Sequence, residues 1–196
     1  MRKWFNIVSG SAACLLVATS IASAGVIVQP TIEGFSSEVG GREAANTVNG
    51  DGLSDPTIVE TGEPEPNPYP THGISNSDSW WTDVNVENNI DEVFITFDLG
   101  EVLPVKGMHV WNLNHGGIGG RTTKSGVETL FVEFSTDGVT FTGAELFTLT
   151  EAPNLATYTG ETHLFAAQTD ARYVRFDVQT TFENDGSLTK GDPNEQ

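Results

Sequence analysis

Three features of the sequence predict an all-β protein built as an antiparallel β-sandwich. Apolar and polar residues alternate in short runs: Val93, Ile95, Phe97 and Leu99 against Phe94, Thr96 and Asp98, then Leu130, Val132 and Phe134 against Thr129, Phe131 and Glu133. Val174, Phe176 and Val178 repeat that phase late in the chain, against Tyr173, Arg175 and Asp177. No stretch beyond residue 25 shows a helical period, and turn dipeptides such as Asn49-Gly50 and Asp137-Gly138 separate the runs. Short strands joined by loops pack best as two antiparallel sheets. The predicted core is Val93, Ile95, Phe97, Leu99, Val110, Leu130, Val132, Phe134, Val174 and Phe176, one shared face across separate strands.

The chain begins with Met1-Arg2-Lys3, an apolar run from Ala12 to Ile21, and the small-residue site Ala22-Ser23-Ala24. Residues 1–24 are expected to be a secretory signal peptide, too short and wrongly flanked for a membrane span. The mature protein is then secreted or held at the cell surface. Cys14, the single cysteine, lies inside this leader, so the mature chain carries no disulfide, zinc-thiolate site or cysteine nucleophile.

One β-sandwich domain is expected over residues 25–182, followed by a polar tail over 183–196. The 196 residues carry a formal charge of -18. Losing Arg2 and Lys3 would take it to about -20, a field that repels nucleic acid and anionic lipid. Acidic surfaces also keep secreted proteins soluble, which accounts for most of these carboxylates.

Val26-Ile27-Val28 reads as a first strand closed by Pro30, and residues 33–38 as a small, polar connection. Glu43 to Val48 reads as one helical turn or an extended loop. Residues 54–79 form a long irregular stretch rich in Pro and Glu, of a length that is usually functional or mobile. Ser79-Trp80-Trp81-Thr82 follows. One tryptophan is expected in the core and the other at least partly exposed, because adjacent strand positions point to opposite faces. Met108 to Asn114 reads as a separate strand running into the Gly-rich loop His115–Arg121, and Leu146 to Leu149 as another strand.

Five blocks in register carry a resemblance: Glu43-Ala-Ala-Asn-Thr-Val-Asn-Gly50; Trp81 with Ile95-Thr-Phe-Asp-Leu-Gly100; Val110-Trp-Asn112; Val132-Glu-Phe-Ser-Thr-Asp-Gly138 with Thr140-Phe141; and Ala171-Arg-Tyr-Val-Arg-Phe176. Over roughly residues 30–180 the chain resembles the discoidin domain, or coagulation-factor type C domain, of the galactose-binding-like superfamily. The resemblance implies an eight-stranded jelly roll whose loops at one end bind sugars, lipid head groups or protein. It also implies a structural Ca2+ near the Asn49-Gly50 turn, where Asn49 replaces the family's usual Asp. Ala45, Asn49, Asp51 and Asp55 are the candidate ligands, with oxygens of the kind a hard cation takes. An ordinary Asx-rich turn is the competing account. Family members commonly close with a Leu-Ser-Glu-type strand. This sequence ends at Asn194-Glu195-Gln196 without one, so it is expected to be a fragment.

Sugar sites need an aromatic plate plus planar amide, guanidinium or imidazole groups for the hydroxyls. His72, Trp80, Asn114, His115 and Arg121 are of those types, lie in or beside loops, and are expected to gather at one end of the sandwich. Trp111 and Asn112, at a strand end, are better suited to packing and loop satisfaction. Catalytic signatures are missing: there is no Gly-x-Ser-x-Gly or His-Glu-x-x-His, and the Gly116–Gly120 run lacks the strand-to-helix context of a phosphate cradle. The expected function is a non-catalytic binding module for a glycan or a cell-surface or matrix component. The alternative is a structural or adhesion protein of a bacterial envelope or extracellular matrix, acting through protein contacts.

Overall fold

The computed structural model describes residues 15–18, 26–59, 66, 68–75, 77–82, 93–116 and 123–182. Seven strands form one hydrogen-bonded ladder: β1 (Leu15–Ala18), β2 (Val26–Val28), β3 (Thr31–Phe35), β4 (Phe94–Val110), β5 (Val127–Ser135), β6 (Thr142–Thr148) and β7 (Glu161–Thr181). The order is β2-β1-β4-β7-β5-β6, and β3 also pairs with β4. Every pairing is antiparallel.

The ladder becomes a sandwich because β4 and β7 turn a corner together. Phe94–Asp98 pairs with Tyr173–Asp177 in one layer, beside β3 on one side and β5 on the other. The register then shifts between Asp98 and Leu103, and Leu103–Val110 pairs with Glu161–Ala171 beside β1. Gly100 sits at the corner with φ +84°, a conformation costly for any residue with a Cβ. Asp98 caps it, accepting from the Gly100 N–H at 2.8 Å and from both Nε and Nη2 of Arg172 at 2.9 Å. The Arg172 hydrogen bond holds the Asp98 carboxyl below its ordinary pKa. Because the guanidinium is largely exposed, water screens the pair and its contribution to stability is small.

The predicted core is the observed one. Val93, Ile95, Phe97, Leu99, Val110, Leu130, Val132, Phe134, Val174 and Phe176 are all buried between the layers, with Met108 and Phe165 added. The β5–β6 hairpin turns where Asp137-Gly138 predicts it. Gly138 has φ +74°, and the Asp137 carboxylate accepts from the N–H groups of Val139 and Thr140. Among the described residues only short 3-10 turns interrupt the strands, one of them at Ala44–Thr47 within the expected helical turn.

Three local expectations are corrected. Met108–Asn114 is no separate strand: β4 runs unbroken to Val110, and residues 111–116 leave the ladder because their side-chain amides replace its hydrogen bonds. The polar segment after Pro30 contains β3, which pairs with β4 through Thr31 to Phe35. Trp80 and Trp81 are both buried, because residues 79–82 are not in a strand and no alternation applies. Trp80 joins the main core and donates its indole N–H to the Ser37 carbonyl. Trp81 packs with Leu113 beneath the Arg42 guanidinium, 4.2 Å from its ring centroid. β1, whose residues fall in the expected leader, pairs between β2 and β4.

Candidate ligand-binding rim

The folded-over ladder gathers many loops at one end, and Asn112 is the clearest marker of it. Its Nδ2 donates to the carbonyls of Val127 (2.7 Å) and Thr150 (3.2 Å), and its Oδ1 accepts from the N–H groups of Leu113 and Val127. The exit of β4, the start of β5 and the end of β6 are therefore tied at one point. Gly126 must pass close by, since a Cβ there would lie 2.7 Å from Asn112 Oδ1.

Two residues further, Asn114 ties the outer loops. Its Nδ2 lies 3.0 Å from the His72 carbonyl, 3.3 Å from that of Gly73 and 2.8 Å from that of Leu155, and its Oδ1 accepts from the Leu155 N–H. This amide clasp sets two loop tips side by side, with Ile74 51% and Leu155 56% exposed. His115, half-buried, donates from Nδ1 to the Ile74 carbonyl at 3.1 Å. The rim thus presents one imidazole between two aliphatic side chains.

An aromatic stack flanks the rim on the outer face of the β4–β7 layer. The Tyr69 ring lies flat on His109, centroids 3.5 Å apart, with Trp111 edge-on to both. His109 is buried, and its Nε2 donates to the Thr159 carbonyl while Nδ1 accepts from the Thr162 hydroxyl. Burial lowers its pKa to about 4, outweighing the Thr159 bond and the nearby Glu161 charge. The folded state therefore holds His109 neutral, while the unfolded chain takes up a proton below the ordinary value of 6.5. This contribution is complete above pH 6.5 and is lost as pH falls toward 4. Between pH 7 and pH 5.5 the protein should lose about 1 kcal/mol through this residue. Thermal melts at the two pH values test this; a His109→Gln variant with the same pH slope as wild type would remove His109 as the cause.

The structure brings His72, Asn114 and His115 together at the rim, as expected. Two of them are already committed: His72 and Asn114 are each 1% exposed, and the Asn114 amide is spent on backbone partners. Trp80 is 1% exposed, so its indole offers no face to a ligand. Arg121 lies outside the described residues. Ile74, Leu155 and Tyr69 are rim residues that sequence patterning passes over; Pro153-Asn154, with Asn154 at φ +56°, is the turn signal that could have marked the second tip.

The candidate calcium ligands do not form a cage as they stand. The Ala45 carbonyl accepts from the N–H groups of Val48 and Asn49. The Asn49 amide donates to Asp51 Oδ2, and its Oδ1 accepts from the Asp51 N–H. Asp55 Oδ1 is held by the N–H and hydroxyl of Thr57. Each group satisfies a neighbour, which is the Asx-turn arrangement. Within the core, a cavity of about 30 Å3 lined by Trp80, Ile95, Val110, Leu130 and Phe176 is too small for a sugar ring.

The family model for the F5/8 type C domain matches residues 58–189, more than half of the chain. The chain belongs to the F5/8 type C domain family. No curated protein matches the sequence. The matched stretch covers the aromatic stack and both tips of the rim, while the Ala45–Asp55 turn precedes it. F5/8 type C domains are generally non-catalytic binding modules, typically extracellular or on cell surfaces, and their ligands include glycans and membranes. Among the described residues no helix is long and apolar enough to cross a membrane.

Proposed function

We propose that this F5/8 type C domain is an exported carbohydrate-binding module that meets its ligand at the loop rim. The Asn114 clasp carries the reading: it fixes two loop tips around His115 and leaves them open to solvent. Tyr69 takes the place foreseen for Trp80 as stacking plate. One face of its partly exposed ring rests on His109. His115 and Arg121 supply donors for sugar hydroxyls. With about 1 kcal/mol net from each hydrogen bond, a single sugar binds at roughly millimolar, and ordered arrays bind more tightly through multivalency.

A second reading, adhesion through protein contacts, draws on the aliphatic character of Ile74 and Leu155 and on the burial of Trp80, Trp81 and Trp111. A glycan array separates the two. The carbohydrate reading expects wild-type binding that falls at least tenfold in Tyr69→Ala and Arg121→Ala. Absence of glycan binding, with matrix adhesion abolished by Ile74→Asp plus Leu155→Asp, would transfer the function to protein contacts.

A further inference from the structure

Asn49-Gly50 is the one Asn-Gly dipeptide of the chain, and the fold sets Asn49 on an exposed turn. Position 50 admits only glycine. Its φ is +77°, and a Cβ there would lie 2.9 Å from the Pro56 carbonyl oxygen. The turn itself therefore keeps an asparagine side-chain amide next to a backbone nitrogen that no side chain shields.

Each group needed to expel that amide is in place. The nucleophile is the Gly50 nitrogen, whose N–H donates to no group among the described residues. The electrophile is Asn49 Cγ. Its Oδ1 accepts from the Asp51 N–H at 2.9 Å, which polarises the carbonyl and stabilises the oxyanion that attack creates. The leaving nitrogen, Nδ2, lies 2.7 Å from Asp51 Oδ2 and 3.4 Å from Asn46 Oδ1. The other asparagines of the turns and rim differ. Asn112 and Asn114 are buried, and Asn46 and Asn154 precede Thr47 and Leu155, whose side chains crowd the attacking nitrogen.

We propose that Asn49 is a self-modification site: it deamidates in the folded protein through a succinimide with Gly50, and the product loosens the turn. The Gly50 nitrogen bonds to Asn49 Cγ and gives up its proton, the Cγ–Nδ2 bond breaks, and Nδ2 leaves as ammonia. One water then opens the ring at either carbonyl and leaves aspartate or isoaspartate. The net change is amide plus water to acid plus ammonia, with no oxidant or cofactor. An amide that donated to Asp51 becomes a carboxylate facing a carboxylate, so attraction turns to repulsion. The loosening reaches Asn46, which holds the Ser77 and Ser79 carbonyls just ahead of Trp80. The site is independent of the proposed glycan binding, and its test involves no glycan.

The test is peptide mapping by mass spectrometry of the full chain, held folded at mildly alkaline pH, with isoaspartate counted by enzymatic methylation. Conversion at Asn49 should run roughly tenfold or more faster than at Asn46 or Asn154. Asn49→Gln keeps an amide but would have to close a larger ring, so conversion at this position should vanish. Asn49→Asp, one of the two products, should melt below wild type in metal-free buffer, with the gap narrowing as salt is added. If Asn49 converts no faster than Asn46 or Asn154, the turn holds the amide out of line with Gly50 and the proposal fails. It fails equally if Asn49→Asp melts at or above the wild-type temperature, because the modification would then leave the turn as it was.

Discussion

Replacing Asn112 with Asp is expected to cost about 4 kcal/mol of stability and to lower the melting temperature by roughly 8–16 °C. The side chain is 2% exposed and makes every one of its hydrogen bonds to backbone groups. Aspartate keeps the acceptor side toward Leu113 and Val127. It turns an oxygen instead of an N–H toward the Val127 and Thr150 carbonyls, leaving both without this donor and a charge without solvent. The cost has a pH signature. A carboxyl buried against carbonyls has a raised pKa, so the deficit of the variant should shrink as pH falls toward 4 and the acid form becomes a donor. Urea unfolding of both proteins at pH 7 and pH 4.5 measures this. A loss below 1 kcal/mol at pH 7 would mean that the three strand ends are not held through this amide.

The sandwich was legible because burial in a two-faced strand writes a period of two, and that period survives every local irregularity. Val93 to Leu99, Leu130 to Phe134 and Val174 to Val178 all carried it, and all lie inside. The corner in β4 was not legible. Joining Phe94–Gly100 to Met108–Val110 as one strand depends on Gly100 and on β7 bending alongside, which is pairing between segments more than 50 residues apart in sequence. β3 was missed because its Thr-Ile-Glu-Gly-Phe pattern buries little: it is an edge strand whose residues are exposed or half-buried.

The site was legible in position more than in role. Loop residues with amides and imidazoles pointed to one cluster of loops, and Asn114 does meet His72 there. What residue type cannot disclose is whether a polar side chain faces solvent or repairs backbone. Loops that leave a ladder carry unpaired N–H and C=O groups, and Asn is the side chain best able to satisfy both kinds at once. Asn112 and Asn114 serve that purpose, which consumes the hydrogen-bonding capacity that a sugar would need. Trp80 went the same way: outside a strand, its indole had no reason to alternate and filled the core.

If residues 1–24 stay on the folded protein instead of being cleaved on export, a chain beginning at Gly25 is expected to unfold about 3 kcal/mol more easily than the full chain and to self-associate. β1 occupies the middle of its layer, pairing Leu16, Val17 and Ala18 with Val28, Ile27 and Val26, and Leu15 to Ala18 with His109, Met108, Gly107 and Val105. Removing it separates β2 from the rest of the ladder and opens the β4 edge alongside Val105 and Met108, both now 0% exposed. Each backbone hydrogen bond lost is worth about 1 kcal/mol net, partly recovered by water. The core beside the slot loses its cover as well. An exposed, aliphatic strand edge is a template for pairing with another chain, so the shortened protein should form dimers or larger species at raised concentration. At 2–4 °C per kcal/mol the melting temperature should drop by roughly 6–12 °C. A synthetic peptide spanning residues 13–19, added in excess, should restore part of that loss by refilling the slot. Calorimetry and sedimentation of the two chains check the expectation. If the shortened chain melts at or above the full-length temperature and stays monomeric, then β2 or another segment closes the β4 edge unaided, and β1 is not required in the folded sheet.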